Sequence, residues 1–276
     1  QGEVIPSAPE LKTVIEFSHR ITSSIAGILL IVLLVWAYRR WSANKTEQNY
    51  LTLKTAIGSF IFIVIEGLLG AGLVLTGNTA ESLTPERPVW MAAHLINTFI
   101  LLPFLTLTAR YASYGKRLSF RIEPKYLVGL AIGVIAVFLV GISGSIAALS
   151  SMIFPVETLA TGITQDFSPT SHLLLRLRLL HPITAILTSV FLIFLTGWLA
   201  KECGNESQVS RWSNILSILI LVQIAFGSAT LLMLAPIVMQ LGHLLLADLI
   251  WISYVLFSAS FLASESIFEK QRNVND

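Results

Sequence analysis

The sequence predicts an all-α integral membrane protein with seven visible transmembrane helices, arranged as two pseudo-repeated helical bundles. Three observations carry this prediction. Hydrophobic residues make up 54% of the 276 and charged residues only 12%, far from the balance of a water-soluble domain. Apolar stretches at 17–38, 54–76, 89–110, 126–150, 175–200, 212–235 and 238–263 each approach or exceed the ~20 residues that a spanning helix needs. Runs such as GILLIVLLVWAY and LVGLAIGVIAVFLVG are continuous, without the in-and-out alternation of a membrane barrel.

Taken in order, the stretches show an internal repeat. The first opens on VIEFSHRITS and carries His19, the third carries His94, the fifth His181 and the seventh His243. Each histidine falls within about two turns of the same end of its predicted helix. Between the members of each pair runs a helix with a related core. IEGLLGAGLVL places Glu66 four residues before Gly70, and VQIAFGSATLL places Gln223 four before Gly227.

His19 to Glu66 is 47 residues and His181 to Gln223 is 42, whereas Gly70 to His94 is 24 and Gly227 to His243 is 16. The loop GNTAESLTPERPV, with only a brief counterpart around Pro236, absorbs the second difference. Two homologous halves follow, 1–125 and 126–276. The fourth stretch, 126–150, and the loop 151–174 open the second half with no counterpart at the start of the first. The symmetry therefore predicts an eighth, N-terminal helix ahead of residue 1.

Charge gives an orientation. Segments 39–54, 110–125, 200–212 and 264–276 collect 13 of the 18 Lys and Arg residues, and the other side holds Lys12, Arg20, Arg87, Arg176 and Arg178. The positive-inside bias puts the N-terminus outside and the C-terminus in the cytoplasm. A formal net charge of +2 gives no reason to expect a nucleic-acid partner. Cys203 is the single cysteine, so no disulfide or thiolate metal site can form within the chain.

Four histidines at one depth are the main chemical signal. Two imidazoles on separate helices can serve as axial ligands to a planar iron porphyrin. A lone helix-end histidine is more often an interfacial hydrogen bonder, but four in repeated positions favour ligation, because intramembrane titratable groups are rare. Zinc is the poorer fit: there is no H-E-x-x-H pattern, no cysteine cluster, and three of the four histidines lack a carboxylate companion. His172, nine residues before His181, reads as a surface or supporting residue.

Arg20, Arg176 and Arg178 lie beside these histidines and could pair with heme propionates, or simply reach to lipid headgroups. Glu16 stands three residues before His19, on the same helix face, where the second half has Arg178 three before His181. A carboxylate beside two histidines suits a reactive site; a basic neighbour suits one that holds and reduces a heme. Glu16 could alternatively serve the helix dipole at an N-terminus. Glu66 and Asp248 are acids within the spans that need partners or a proton role. Gly67, Gly70, Gly72, Gly141 and Gly144 allow close approach of helices or a macrocycle.

The segments GEVIPSAPELKTVIEFSHR, AAHLINTFILLPFLTLTA, QDFSPTSHLLLRLRLLHP and LGHLLLADLIWI together resemble the heme A synthase family of bacteria and mitochondria, over nearly the whole chain. The resemblance implies eight helices in two four-helix halves. It implies oxidation of the heme O methyl substituent to a formyl group, giving heme A for cytochrome oxidase, by hydroxylation twice with loss of water. It further implies that His181 and His243 hold a heme b, and that Glu16, His19 and His94 form the reactive site for heme O. Heme O synthase and cytochrome oxidase assembly proteins are the partners it suggests.

One departure stands out. Many members carry cysteine pairs in the first and sometimes the second outer loop, and ALSSMIFPVETLATGITQDF at the second place has none. Two other readings remain: a di-heme b-type electron-transfer cytochrome, against which Glu16 argues, and a non-catalytic heme-binding subunit of a larger complex. A transporter would more naturally show broken helices and polar midplane residues.

Overall fold

The computed structural model describes residues 11–78, 84, 86–204, 206–265 and 267, with side chains from residue 14 onward. Its helices are α1 (Leu11–Ala43), α2 (Glu47–Leu75), α3 (Arg87–Ser113), α4 (Pro124–Ile153), α5 (Leu159–Phe167), α6 (Leu173–Arg178), α7 (Leu180–Glu202), α8 (Ser207–Leu232) and α9 (Ile237–Phe261). Seven of the described segments are long and apolar enough to cross a bilayer, α6 and α7 counting together as Leu173–Glu202. The chain is an integral membrane protein, as the apolar stretches predict, and no strand occurs among the described residues.

Helices prevail because in lipid each backbone N–H and C=O must find a partner within its own segment. Hydroxyl side chains obey the same rule. Thr52, Ser59, Thr108 and Thr196 each donate to the carbonyl four residues back, at 2.9, 3.1, 2.7 and 2.8 Å, so these four buried hydroxyls are satisfied inside their own helices. Leu68, Phe194 and Leu187 instead lie exposed on the outer surface of the bundle, where lipid replaces the protein interior as apolar solvent.

Neighbouring helices pack in sequence: α1 on α2, α2 on α3, α4 on α7, α7 on α8 and α8 on α9. The joint between the first three helices and the rest is α3, which packs against α4 and α9. A single proline shapes that joint. Pro103 lies inside α3 and has no N–H, so the Phe99 carbonyl one turn earlier loses its helical donor. Trp251 of α9 supplies the replacement, its indole Nε1 donating to that carbonyl at 2.8 Å. Around the bond, Phe99, Phe138, Trp251 and Tyr254 stack and cross at centroid separations of 5.4–6.0 Å, and the Tyr254 hydroxyl donates to the Leu130 carbonyl of α4 at 2.8 Å. The main buried cluster extends from here through α4, α7, α8 and α9; a smaller one joins α1 and α2 at Ala37, Leu53 and Ala56.

The segment expected as a plain loop, 151–174, contains α5 and the start of α6. Thr158 caps α5 by accepting from the Thr161 N–H at 3.2 Å, and the His172 imidazole caps α6 through Nδ1, accepting from the Leu174 N–H at 3.3 Å. Capping of this kind lets a short polar segment turn helical where hydrophobic periodicity is weak. Pro182 falls in the first turn of α7, where its missing N–H costs nothing, and His181 precedes it in the same turn.

Candidate functional site

The four repeated histidines form two pairs at one end of the bundle. His19 of α1 faces His94 of α3 with ring centroids 6.4 Å apart and planes at 86°. His181 of α7 faces His243 of α9 at 6.1 Å and 88°. Both pairs skip one helix, α2 in the first half and α8 in the second. The helix they skip supplies Glu66 and Gly70 beside the first pair and Gln223 and Gly227 beside the second.

In the second pair the packing is tight. A Cβ at Gly227 would lie 2.7 Å from His243 Cε1, and one at Gly144 would lie 3.0 Å from His181 Cε1; neither helix could bring its backbone so near the ring with a side chain present. Ser143 Oγ lies 3.3 Å from His181 Nδ1 and 3.1 Å from Thr184 Oγ1. Gln223 donates through Nε2 to the His243 carbonyl at 3.0 Å, and the same nitrogen lies 3.3 Å from His243 Nε2. Phe226 lies nearly parallel to the His243 ring, 6.5 Å between centroids.

The first pair has the same plan with different chemistry. Gly70 leaves slack, since a Cβ there would be 3.9 Å from His94 Cε1. Glu66 stands where Gln223 stands in the second half, its Oε1 3.5 Å from His94 Nδ1. Asn97 and Thr98 both donate to its carboxylate. His19 is exposed on α1, and one turn before it Glu16 forms an ion pair with Arg20 at 2.5 Å.

The remaining sequence candidates separate. Arg178 donates through Nε to Asp166 at 2.6 Å, with each side chain only 12% exposed, and through Nη2 to the Gly162 carbonyl at 3.4 Å. Its guanidinium thus ties α6 to α5. Arg176 is exposed on α6. His172 is exposed, with its ring 5.2 Å from that of Phe154. Asp248 is half-buried, five residues beyond His243 on α9, and Cys203 is buried at the end of α7. Ser143, Asn97, Thr98, Phe226 and Asp166 escape the sequence reading. Asn97 and Thr98 carry a legible signal, since they follow His94 by three and four residues and so share its helix face.

The arrangement fits heme. An iron–nitrogen bond of about 2 Å on each side, with about 1 Å from each nitrogen to its ring centre, sets two coaxial imidazoles about 6 Å apart. Both pairs meet that separation. His243 Nδ1 is buried without a hydrogen-bond partner, a state that calls for a ligand or an ion. Two ligands suffice for a metal that brings its own in-plane nitrogens; among the described residues no group of three or more His, Cys, Asp or Glu converges as a bare-ion site would.

Similarity to known proteins agrees with this geometry. A family model described as COX15-CtaA, cytochrome oxidase assembly protein, matches residues 7–255. A protein of Thermus thermophilus named protoheme IX farnesyltransferase is 36% identical over 261 residues, 95% of this chain and 42% of that relative. A heme A synthase of Shouchella clausii is 28% identical over 260 residues, 91% of this chain and 80% of the relative. Another, of Halalkalibacterium halodurans, is 44% identical over 78 residues, 28% of this chain and 24% of the relative. The chain spans about two fifths of the length of the Thermus relative. No solved structure gives a significant match.

Proposed function

The chain belongs to the COX15-CtaA family of cytochrome oxidase assembly proteins, and within that family we propose that it is a heme A synthase, oxidising the methyl substituent of heme O to a formyl group. The methyl group and one water give the formyl group with release of four protons and four electrons, the electrons passing to an oxidised acceptor outside the chain. The observation that carries the reading is the unlike chemistry of two matched histidine pairs: carboxylates flank His19 and His94, whereas an amide, a hydroxyl and glycines flank His181 and His243.

In this reading His181 and His243 hold a resident heme b, which when bound supplies one-electron exchange. Ser143 and Gln223 fix the two rings, and Gly144 and Gly227 admit them to the helix surfaces. His19 and His94 hold the substrate by its iron. Glu16, one turn before His19, is the catalytic carboxylate that takes up protons released at the oxidised substituent. Arg20, paired with Glu16, holds it aimed along α1, and with Arg176 it is available to substrate carboxylates at the membrane boundary. Arg178 acts through the fold of the loop, by its pairing with Asp166. We place the chain N-terminus outside and the C-terminus in the cytoplasm.

The two relatives' names are compatible. Nearly three fifths of the Thermus protein lies outside the matched region, room enough for a separate farnesyl-transferring part. A heme O synthase is accordingly the partner this chain would receive substrate from, and cytochrome oxidase assembly consumes its product.

The test is chromatography of the hemes extracted from protein purified from cells that make heme O. Heme B together with heme O, heme A or a hydroxylated intermediate is expected. Heme B alone, at two per chain despite available heme O, would replace the synthase with a di-heme electron-transfer cytochrome.

A further inference from the structure

Glu66 carries a carboxylate at the position where the second half has the neutral amide of Gln223. A carboxylate inside an apolar span is costly and calls for compensating partners. Here two come from α3: Asn97 Nδ2, which also donates to the Phe62 carbonyl at 2.9 Å, and Thr98 Oγ1. Oε1, the oxygen that accepts from Thr98, is also the one 3.5 Å from His94 Nδ1. His94 Nδ1 is buried and has no other hydrogen-bond partner among the described residues. The contact lies just beyond a well-formed hydrogen bond. In the second half Gln223 has only a neutral amide to offer, and it spends its nitrogen on the His243 backbone and ring.

Resting on the synthase reading, we propose that Glu66 is a positioning residue for His94: its carboxylate accepts a hydrogen bond from the imidazole Nδ1–H, fixes the tautomer and ring angle, and strengthens the other nitrogen as a donor to the substrate's iron. A carboxylate behind a metal-bound histidine orients the ring and raises its basicity. Greater donation favours the ferric state, so the substrate iron is held at a lower potential than an amide in that place would give. The second pair, backed by Gln223, lacks that push and suits a heme that passes electrons back and forth. One repeat position thus distinguishes the heme to be oxidised from the heme that is only held.

The experiment uses the full chain purified from cells that make heme O. The heme component that depends on His94 is identified by its loss in His94→Ala, then followed by redox titration and by its low-spin electron paramagnetic resonance signal. Glu66→Gln is expected to raise that component's midpoint potential, shift its signal, and weaken heme retention by about 10- to 100-fold, with the His181–His243 component unmoved. Glu66→Asp should recover part of the shift, and Gln223→Glu should lower the potential of the second component instead. A His94-dependent component whose potential and signal are unchanged in Glu66→Gln overturns this inference alone, whatever happens to stability. Absence of any His94-dependent component overturns the synthase reading and this inference with it.

Discussion

The two histidine pairs share ring spacing and angle, yet they are built to different tolerances. His181 and His243 are wedged against Gly144 and Gly227 and touched by Ser143 and Gln223. His94 has slack over Gly70, and His19 lies exposed on a helix that packs mainly on α2. Tight packing locks a ring in one place, which suits a group that stays. Slack with charged neighbours suits a group that arrives, reacts and leaves. A duplicated frame can therefore carry two tasks once a few side chains around each pair diverge.

The largest effects should separate the pairs completely. His181→Ala or His243→Ala is expected to remove the tightly held heme b, seen as loss of its band in a reduced-minus-oxidised spectrum. Glu16→Ala should leave that band in place while turnover of heme O to heme A falls by about 100-fold or more. Retained turnover in Glu16→Ala would remove the catalytic carboxylate from the first pair and make the two sites more alike than proposed.

Next in size is the loop peculiar to the second half. Breaking the Arg178–Asp166 pair by Arg178→Ala leaves a largely buried carboxylate alone, at a cost of about 3 kcal/mol. The double variant with Asp166→Ala should recover much of this in thermal denaturation of the detergent-solubilised protein. Equal losses in the single and double variants would show that Arg178 acts through something other than Asp166.

The joint between the halves gives a smaller, conditional effect. Trp251→Phe strips the donor from the Phe99 carbonyl and should cost about 1–3 kcal/mol. With Pro103→Ala in place the helix supplies its own donor, and the same substitution should lose only its packing contribution. Additive costs in that double-mutant cycle would refute the link between the proline and the indole.

The smallest effects have opposite signs at matched glycines. Gly227→Ala pushes against His243 and should cost about 1–3 kcal/mol with lowered heme b content. Gly70→Ala meets no close atom and should instead stabilise α2 by about 0.5–1 kcal/mol. Equal responses at both positions would show that the two cradles do not differ in tightness.

Much of this was legible in the residues. The seven spans, the His–Gly–His repeat and the equivalence of Glu66 with Gln223 all follow from spacing, because helical periodicity projects three-, four- and seven-residue separations onto one face. The pairing of Arg178 with Asp166 was not legible: the two are twelve residues apart on different short helices, and the caps that create those helices leave little hydrophobic pattern. Arg178 accordingly reads in sequence as a cofactor-binding residue, whereas its guanidinium is engaged within the protein. Ser143 was equally hidden, being one small residue among several in GISGSIAA until α4 is laid against α7.

By itself the sequence determined that this chain lies in a membrane as helices and that four histidines recur at one level in two copies of one pattern. Those are properties of single segments, set by transfer free energy and helical repeat. Only the tertiary structure decided which glycine presses on which imidazole, that Trp251 answers the gap left by Pro103, and that the Glu66 carboxylate stands behind His94. Each of these joins side chains from different helices, and their separation is fixed by how the helices pack rather than by any spacing along the chain.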